Sequence, residues 1–311
     1  MSSERTPSSA ALFAIATLIW GSTWLGIKYQ LGVVAPEVSV AYRFALAAVI
    51  VAIWCLATGR SLSFSPSQHV FIALQGVLLF GLNYVGVYWA EQYATSGLVA
   101  VLFSTIVFMN PIGARIAFGT PLAMRTFIAA IVGVVGVTLM FLPEIAAARR
   151  GSDAALGIVI GIVATAIASC GNIVAVRNQR AGIEVFSGIA WGMGYGAATA
   201  ALAALAHGAA WNFDPSPAYV LSLIYLAIFG SIGAFGAYLT LLKQVGPGPA
   251  AYVGVATPVV ALALSTLFEG YRWTWVAAAG VVLAVCGNWL ALRAARAGAT
   301  PRAPATAPTR S

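Results

Sequence analysis

Trp20, Trp24 and Lys28 stand at i, i+4 and i+8 within one apolar run, so they share a face if that run is helical. The same spacing puts Tyr84, Tyr88 and Glu91 on one stripe with Asn83 beside it, and Thr165, Ser169 and Asn172 on another. Ser231, Phe235 and Tyr238 cluster in a later run, and Tyr252 precedes Thr257-Pro258 in the next. Rings and neutral hydrogen-bonding groups of this kind suit the binding of a small amphipathic organic solute better than that of a bare ion or a phosphate ester. The candidate solute contacts are therefore Trp20, Trp24, Asn83, Tyr84, Tyr88, Ser169, Asn172, Phe235, Tyr238 and Tyr252.

What is missing narrows the chemistry. All eight acidic residues and both histidines fall in connections or at the ends of apolar runs. There is no HExxH, no pair of aspartates at membrane depth and no Ser–His pair there, so the parts of an intramembrane protease or metalloenzyme are absent. No catalytic residue, metal or cofactor is expected. A carboxylate relay for tight proton coupling is missing as well. Cys55, Cys170 and Cys286 all sit inside apolar runs without CxxC spacing and are expected to be packing residues.

Membrane interfaces are themselves rich in tryptophan and tyrosine, which accounts for Trp273, Trp275 and Trp211. Trp20 stands near the middle of its run, where an interfacial belt does not explain it, although bundle packing would. Arg43 is the one charge clearly within an apolar run. An arginine there costs about 2.5–3.5 kcal/mol at the bilayer centre on insertion scales, and less near the end of a helix. The sequence favours a role for Arg43 in tying helix ends together, to carbonyls or to Glu37, over direct contact with solute. Lys28, Glu37, Arg43 and Glu91 are expected near one mouth as gating or structural charges, and Pro258 is expected to kink its helix.

The elements that would position these residues follow from composition. The chain has 311 residues, 61% of them hydrophobic and 8% charged, with a mean hydropathy of +0.92. A soluble domain carries about 25% charged residues, so this is an all-α integral membrane protein. Its net charge of +8 lies in short connections and the C-terminus rather than on one face, which argues for the lipid bilayer and a small solute as partners and against nucleic acid. The first apolar run lacks a convincing A-x-A cleavage site and is expected to be retained as a span.

Ten spans are expected: Ala10–Tyr29, Glu37–Ala57, His69–Ala90, Thr95–Phe118, Met124–Leu142, Ala155–Val176, Glu184–Ala206, Pro217–Leu242, Pro249–Phe268 and Trp273–Leu292. Eleven basic residues fall on the side of the N-terminus and four on the other, which predicts two cytoplasmic termini. The tail 294–311 lacks an apolar face and is expected to be a disordered cytoplasmic segment, as residues 1–9 are expected to be a cytoplasmic lead. YATSGLVAVLFST at 93–105 and VGPGPAAYVGVAT at 245–257, each after a Gln, recur at an offset near 150 residues, as do Gly86-Val87-Tyr88 and Gly236-Ala237-Tyr238. Two five-span units, 10–145 and 152–293, must then enter the membrane in opposite senses around a central cavity, an arrangement typical of secondary transporters.

Trp20-Gly21-Ser22 with Lys28, then Arg43-Phe44, resembles the first hairpin of the EamA-type branch of the drug/metabolite transporter superfamily. Gln92-Tyr93-Ala94-Thr95-Ser96 is similar to that family's junction after the third helix, and Phe268-Glu269-Gly270 to its acidic turn before the last. Phe118-Gly119-Thr120-Pro121 carries no glutamate at the corresponding turn of the first half, and Ile106 stands opposite Pro258. The resemblance implies ten helices in two inverted repeats. Helices 1, 3, 4, 6, 8 and 9 would line a cavity used by inner-membrane exporters of amino acids, including aromatic ones, and other metabolites. Two other readings are a nucleotide-sugar or phosphorylated-sugar exchanger, which would call for lysine or arginine at mid-depth, and a non-transporting membrane scaffold or sensor.

Overall fold

The computed structural model describes residues 7–94, 96–142, 145–146, 153–268 and 273–298. Thr95, Arg149, Arg150 and Arg272, the Glu269-Gly270 turn, residues 1–6 of the N-terminal segment and the tail from 299 lie outside that range. Among the described residues the chain is helical and holds no strand. The helices are α1 Ser9–Lys28, α2 Pro36–Ala57, α3 Pro66–Tyr93, and α4, which runs as Ser96–Ser104 and Ile106–Phe118. They continue with α5 Met124–Met140, α6 Asp153–Arg180, α7 Val185–Ala206 and α8 Pro217–Val245. The last are α9, which runs as Pro247–Ala250 and Val253–Phe268, and α10 Trp275–Gly298.

Eight of these are long and apolar enough to cross a bilayer, while Met124–Met140 and Trp275–Ala291 are shorter apolar helices. Seventeen residues at about 1.5 Å each reach about 25 Å, short of a hydrocarbon core of roughly 30 Å. Those two short helices pack chiefly on each other, backbone to backbone. A Cβ placed on Gly287 would lie 2.6 Å from the Gly133 Cα, so glycine is needed on that seam.

Local sequence sets the helix ends. Ser8, Ser65 and Ser216 accept a backbone N–H at the starts of α1, α3 and α8, and Ser65 forms a full capping box with Gln68. Pro36, Pro66 and Pro217 occupy first-turn positions, where a missing N–H costs nothing. Gly119 stops α4 in a left-handed conformation at φ 68°.

Two irregularities appear once in each half. Val77–Leu82 of α3 and Leu226–Gly233 of α8 are wide π turns, their starts 149 residues apart (77 to 226). α4 is interrupted at Thr105 and α9 at Ala251–Tyr252. The interruption in α9 precedes Pro258, and the helical segment Val253–Phe268 runs on through that proline. The buried centre gathers Phe44, Phe80, Tyr88, Leu226, Phe235 and Tyr238. The outer surface carries large apolar side chains, of which Ile116 is 81% exposed, as a lipid-facing belt requires.

Candidate functional site

A cavity opens between α1, α3, α4, α6, α8 and α9, the six helices named from the family resemblance. It holds a volume of about 80 Å³ for the centre of a water-sized molecule and is partly open to the outside. Trp20, Thr23 and Trp24 come from α1, Asn83 and Tyr84 from α3, Phe103 from α4, Asn172 from α6, Phe235 and Tyr238 from α8, and Thr257 and Pro258 from α9. None of its lining residues bears a formal charge.

Trp20 is the hub of the aromatic wall. Its ring meets Phe235 edge-on at 4.9 Å between centroids and Tyr238 at 5.0 Å. Its Nε1 donates to the Gly230 carbonyl at 3.1 Å, inside the π turn of α8. Phe80 lies 4.8 Å from Phe235 and holds it from behind. Next to this wall, Asn172 Nδ2 donates to Asn110 Oδ1 at 3.4 Å, and Asn110 Nδ2 donates to the Pro247 carbonyl at 3.4 Å and to the Tyr238 hydroxyl at 3.5 Å. This relay ties α6, α4, α8 and the start of α9 into one polar unit.

Of the candidates from sequence, Trp20, Trp24, Asn83, Tyr84, Asn172, Phe235 and Tyr238 come together on this wall, with Pro258. Tyr88, Ser169 and Tyr252 lie off it. The Tyr88 hydroxyl accepts from Arg43 Nη1 at 3.5 Å. Ser169 is buried facing α4 at Gly113. The Tyr252 hydroxyl donates to the Thr126 carbonyl at 2.6 Å and pins the break in α9 to α5.

Arg43 and Glu37 do not meet each other. Arg43 is fully buried and turns inward, donating from Nε to Ser231 Oγ at 2.9 Å, with its guanidinium 4.7 Å from the Tyr84 ring centroid. Glu37 lies nearly two turns earlier on α2, where its Oε1 accepts from Trp89 Nε1 at 2.9 Å and meets His207 Nδ1 at 3.0 Å. It thus holds the ends of α2, α3 and α7 rather than pairing with Arg43. Lys28 closes α1 at the surface, and Glu91 lies half-buried in the last turns of α3.

Sequence reasoning did not single out Thr23, Phe103 or Asn110. Thr23 sits between two flagged tryptophans and was within reach. Phe103 is one apolar residue in an apolar run, with nothing to separate a cavity face from a lipid face. Asn110, completely buried in α4, was detectable as an amide in an otherwise hydrophobic span.

The model of the EamA-like transporter family matches the chain twice, over residues 7–142 and 155–293. The chain is 28% identical over 295 residues to the uncharacterized inner membrane transporter YedA of Escherichia coli, covering 91% of this chain and 90% of that protein. It is 22% identical to Protein PagO of Salmonella typhimurium (96% and 97% covered) and 22% identical to the uncharacterized transporter YoaV of Bacillus subtilis (88% and 93% covered). A chain of known crystal structure shares the fold at a TM-score of 0.73 and 19% identity, over 94% of this chain and 99% of that one. With both halves matched by one family model and a charge-free cavity between them, the chain belongs to the EamA-like transporter family.

Proposed function

We propose that the protein is a secondary transporter that exports small metabolites, amino acids including aromatic ones foremost, across the inner membrane by alternating access. The observation that carries this reading is the cavity itself, with six aromatic side chains and two buried asparagines on its wall and no formal charge. Such a lining accepts an amphipathic solute of modest size and gives a phosphate ester no counter-charge. The phosphorylated-sugar reading therefore lacks the lysine or arginine it needs on that wall.

The paired π turns, the paired breaks in α4 and α9 and the double family match support two five-helix repeats of opposite orientation, residues 10–145 and 152–293. Helices with wide turns and interruptions next to the cavity supply the bending points that opening to alternate sides requires. Lysine and arginine placement supports cytoplasmic termini.

Purified protein in liposomes tests the assignment. Labelled phenylalanine or another neutral amino acid should move down its gradient. No uptake across an amino-acid panel sinks the substrate claim, and uptake of a phosphorylated solute replaces it with the exchanger reading.

A further inference from the structure

Both cavity asparagines keep an oxygen with no hydrogen-bond partner. Asn83 and Asn172 are each 2% exposed, and each lines the cavity. Neither Oδ1 receives a hydrogen bond from the protein. The orientation of the two amides is dictated by their surroundings. Asn83 Nδ2 faces the Leu79 carbonyl at 3.3 Å, and only an N–H can satisfy a carbonyl, so the oxygen is the atom left over.

The Asn172 amide is oriented through Asn110. The Pro247 carbonyl at 3.4 Å requires the amino end of Asn110, which turns the Asn110 oxygen toward Asn172. That oxygen in turn requires the amino end of Asn172, so its Oδ1 is again the free atom. The helices that carry the two asparagines meet at Leu79. Asn83 hydrogen-bonds its carbonyl, while a Cβ on Gly171, the neighbour of Asn172, would lie 2.9 Å from the Leu79 Cβ.

We propose that the free oxygens of Asn83 and Asn172 receive the primary amino group of the transported solute, an inference that rests on the transport reading above. Two buried acceptors on residues lining one cavity call for a group with several N–H donors and no competing lone pair. A protonated primary amine has three donors and no acceptor, whereas a hydroxyl brings one donor together with lone pairs. The ring faces of Trp20, Tyr84, Phe235 and Tyr238 around the same cavity favour a cation and disfavour an anion.

The wall donors are arranged consistently with this. Trp20 Nε1 and the hydroxyls of Thr23 and Thr257 already donate to the carbonyls of Gly230, Trp20 and Val253. Trp24 Nε1 has no acceptor and is one donor available to the carboxylate of an amino acid.

Equilibrium binding to the purified full-length protein tests the proposal with three probes that share one ring: phenylalanine, phenethylamine and 3-phenylpropionate. The two amines should bind at least tenfold more tightly than the acid that lacks an amino group. Asn83→Leu and Asn172→Leu should each weaken the amines tenfold or more and leave 3-phenylpropionate where it was. The proposal is overturned if 3-phenylpropionate binds the unmodified protein as tightly as phenethylamine, if no amine binds, or if the variants weaken all three probes equally. Binding of phenethylamine without phenylalanine would support the amino-group assignment while removing amino acids from the transport reading.

Discussion

Arg43 Nε donates to Ser231 Oγ at 2.9 Å, joining the middle of α2 to the π turn of α8. Gly230 makes room for this contact, because a Cβ there would lie 3.1 Å from Arg43 Nη2 and 2.9 Å from the Thr23 methyl. The buried cation is thus an architectural bolt one layer behind the cavity wall, in contact with Tyr84 on one side and Tyr88 on the other.

Removing the hydroxyl should therefore loosen the bundle. Ser231→Ala leaves a buried guanidinium N–H without an acceptor and is expected to cost about 1.5–3 kcal/mol, the range for hydrogen bonds to charged groups. Thermal unfolding in detergent would measure this. Combined with Arg43→Met, the loss should be smaller than the sum of the two single losses. Strict additivity would show that the pair is not coupled.

Tyr84 and Tyr88, one turn apart, should respond differently. Tyr88→Phe removes an acceptor from Arg43 and is expected to lower stability by about 0.5–1.5 kcal/mol, with the solute KM changed less than twofold. Tyr84→Ala opens the cavity wall and should raise KM at least tenfold. Transport assays in liposomes on both variants decide it, and equal KM effects would contradict the placement.

The α5–α10 seam has no space for side chains. Gly287→Val should cost about 3 kcal/mol or more, because the added carbons meet the Gly133 backbone and not a movable side chain. Loss of monodisperse protein on size-exclusion chromatography is the expected result, and a normal elution profile would count against so close an approach.

Glu37 has a separate task from Arg43. Glu37→Ala deprives Trp89 Nε1 and His207 of their shared acceptor and should destabilise by about 1–3 kcal/mol, with Glu37→Gln costing less because it keeps an oxygen for Trp89. A melting temperature equal for all three proteins would show that the junction of α2, α3 and α7 holds without it.

The proposed orientation is testable with single cysteines. Ser63→Cys, between α2 and α3, should react with a membrane-impermeant maleimide only after permeabilisation. Asn212→Cys, between α7 and α8, should react in spheroplasts. The reverse pattern would place the termini on the outer side.

Much of this protein was legible in the residue order. Apolar runs separated by Pro, Gly and Ser must become helices in lipid, because no water is present there to satisfy the backbone. That locates the helices to within a few residues at most ends, and the recurrence near 150 residues matches the offset of the two π turns. Helical spacing also picked out Trp20, Trp24, Tyr84 and Asn172, since residues four apart must share a face.

Which way a shared face points was decided only by packing. Tyr84 and Tyr88 lie on one stripe, but Arg43 takes the Tyr88 hydroxyl and draws it off the cavity. Arg43 and Glu37 looked like partners in one hairpin, yet Ser231, more than 180 residues away, and His207 are what they meet. Which end of each of the two amides is left unpaired is likewise set by the Leu79 and Pro247 carbonyls. Periodicity fixes neighbours along one helix, whereas the partner of a buried polar group is whichever atom the packed helices bring within about 3 Å, and only the assembled tertiary structure supplies that atom.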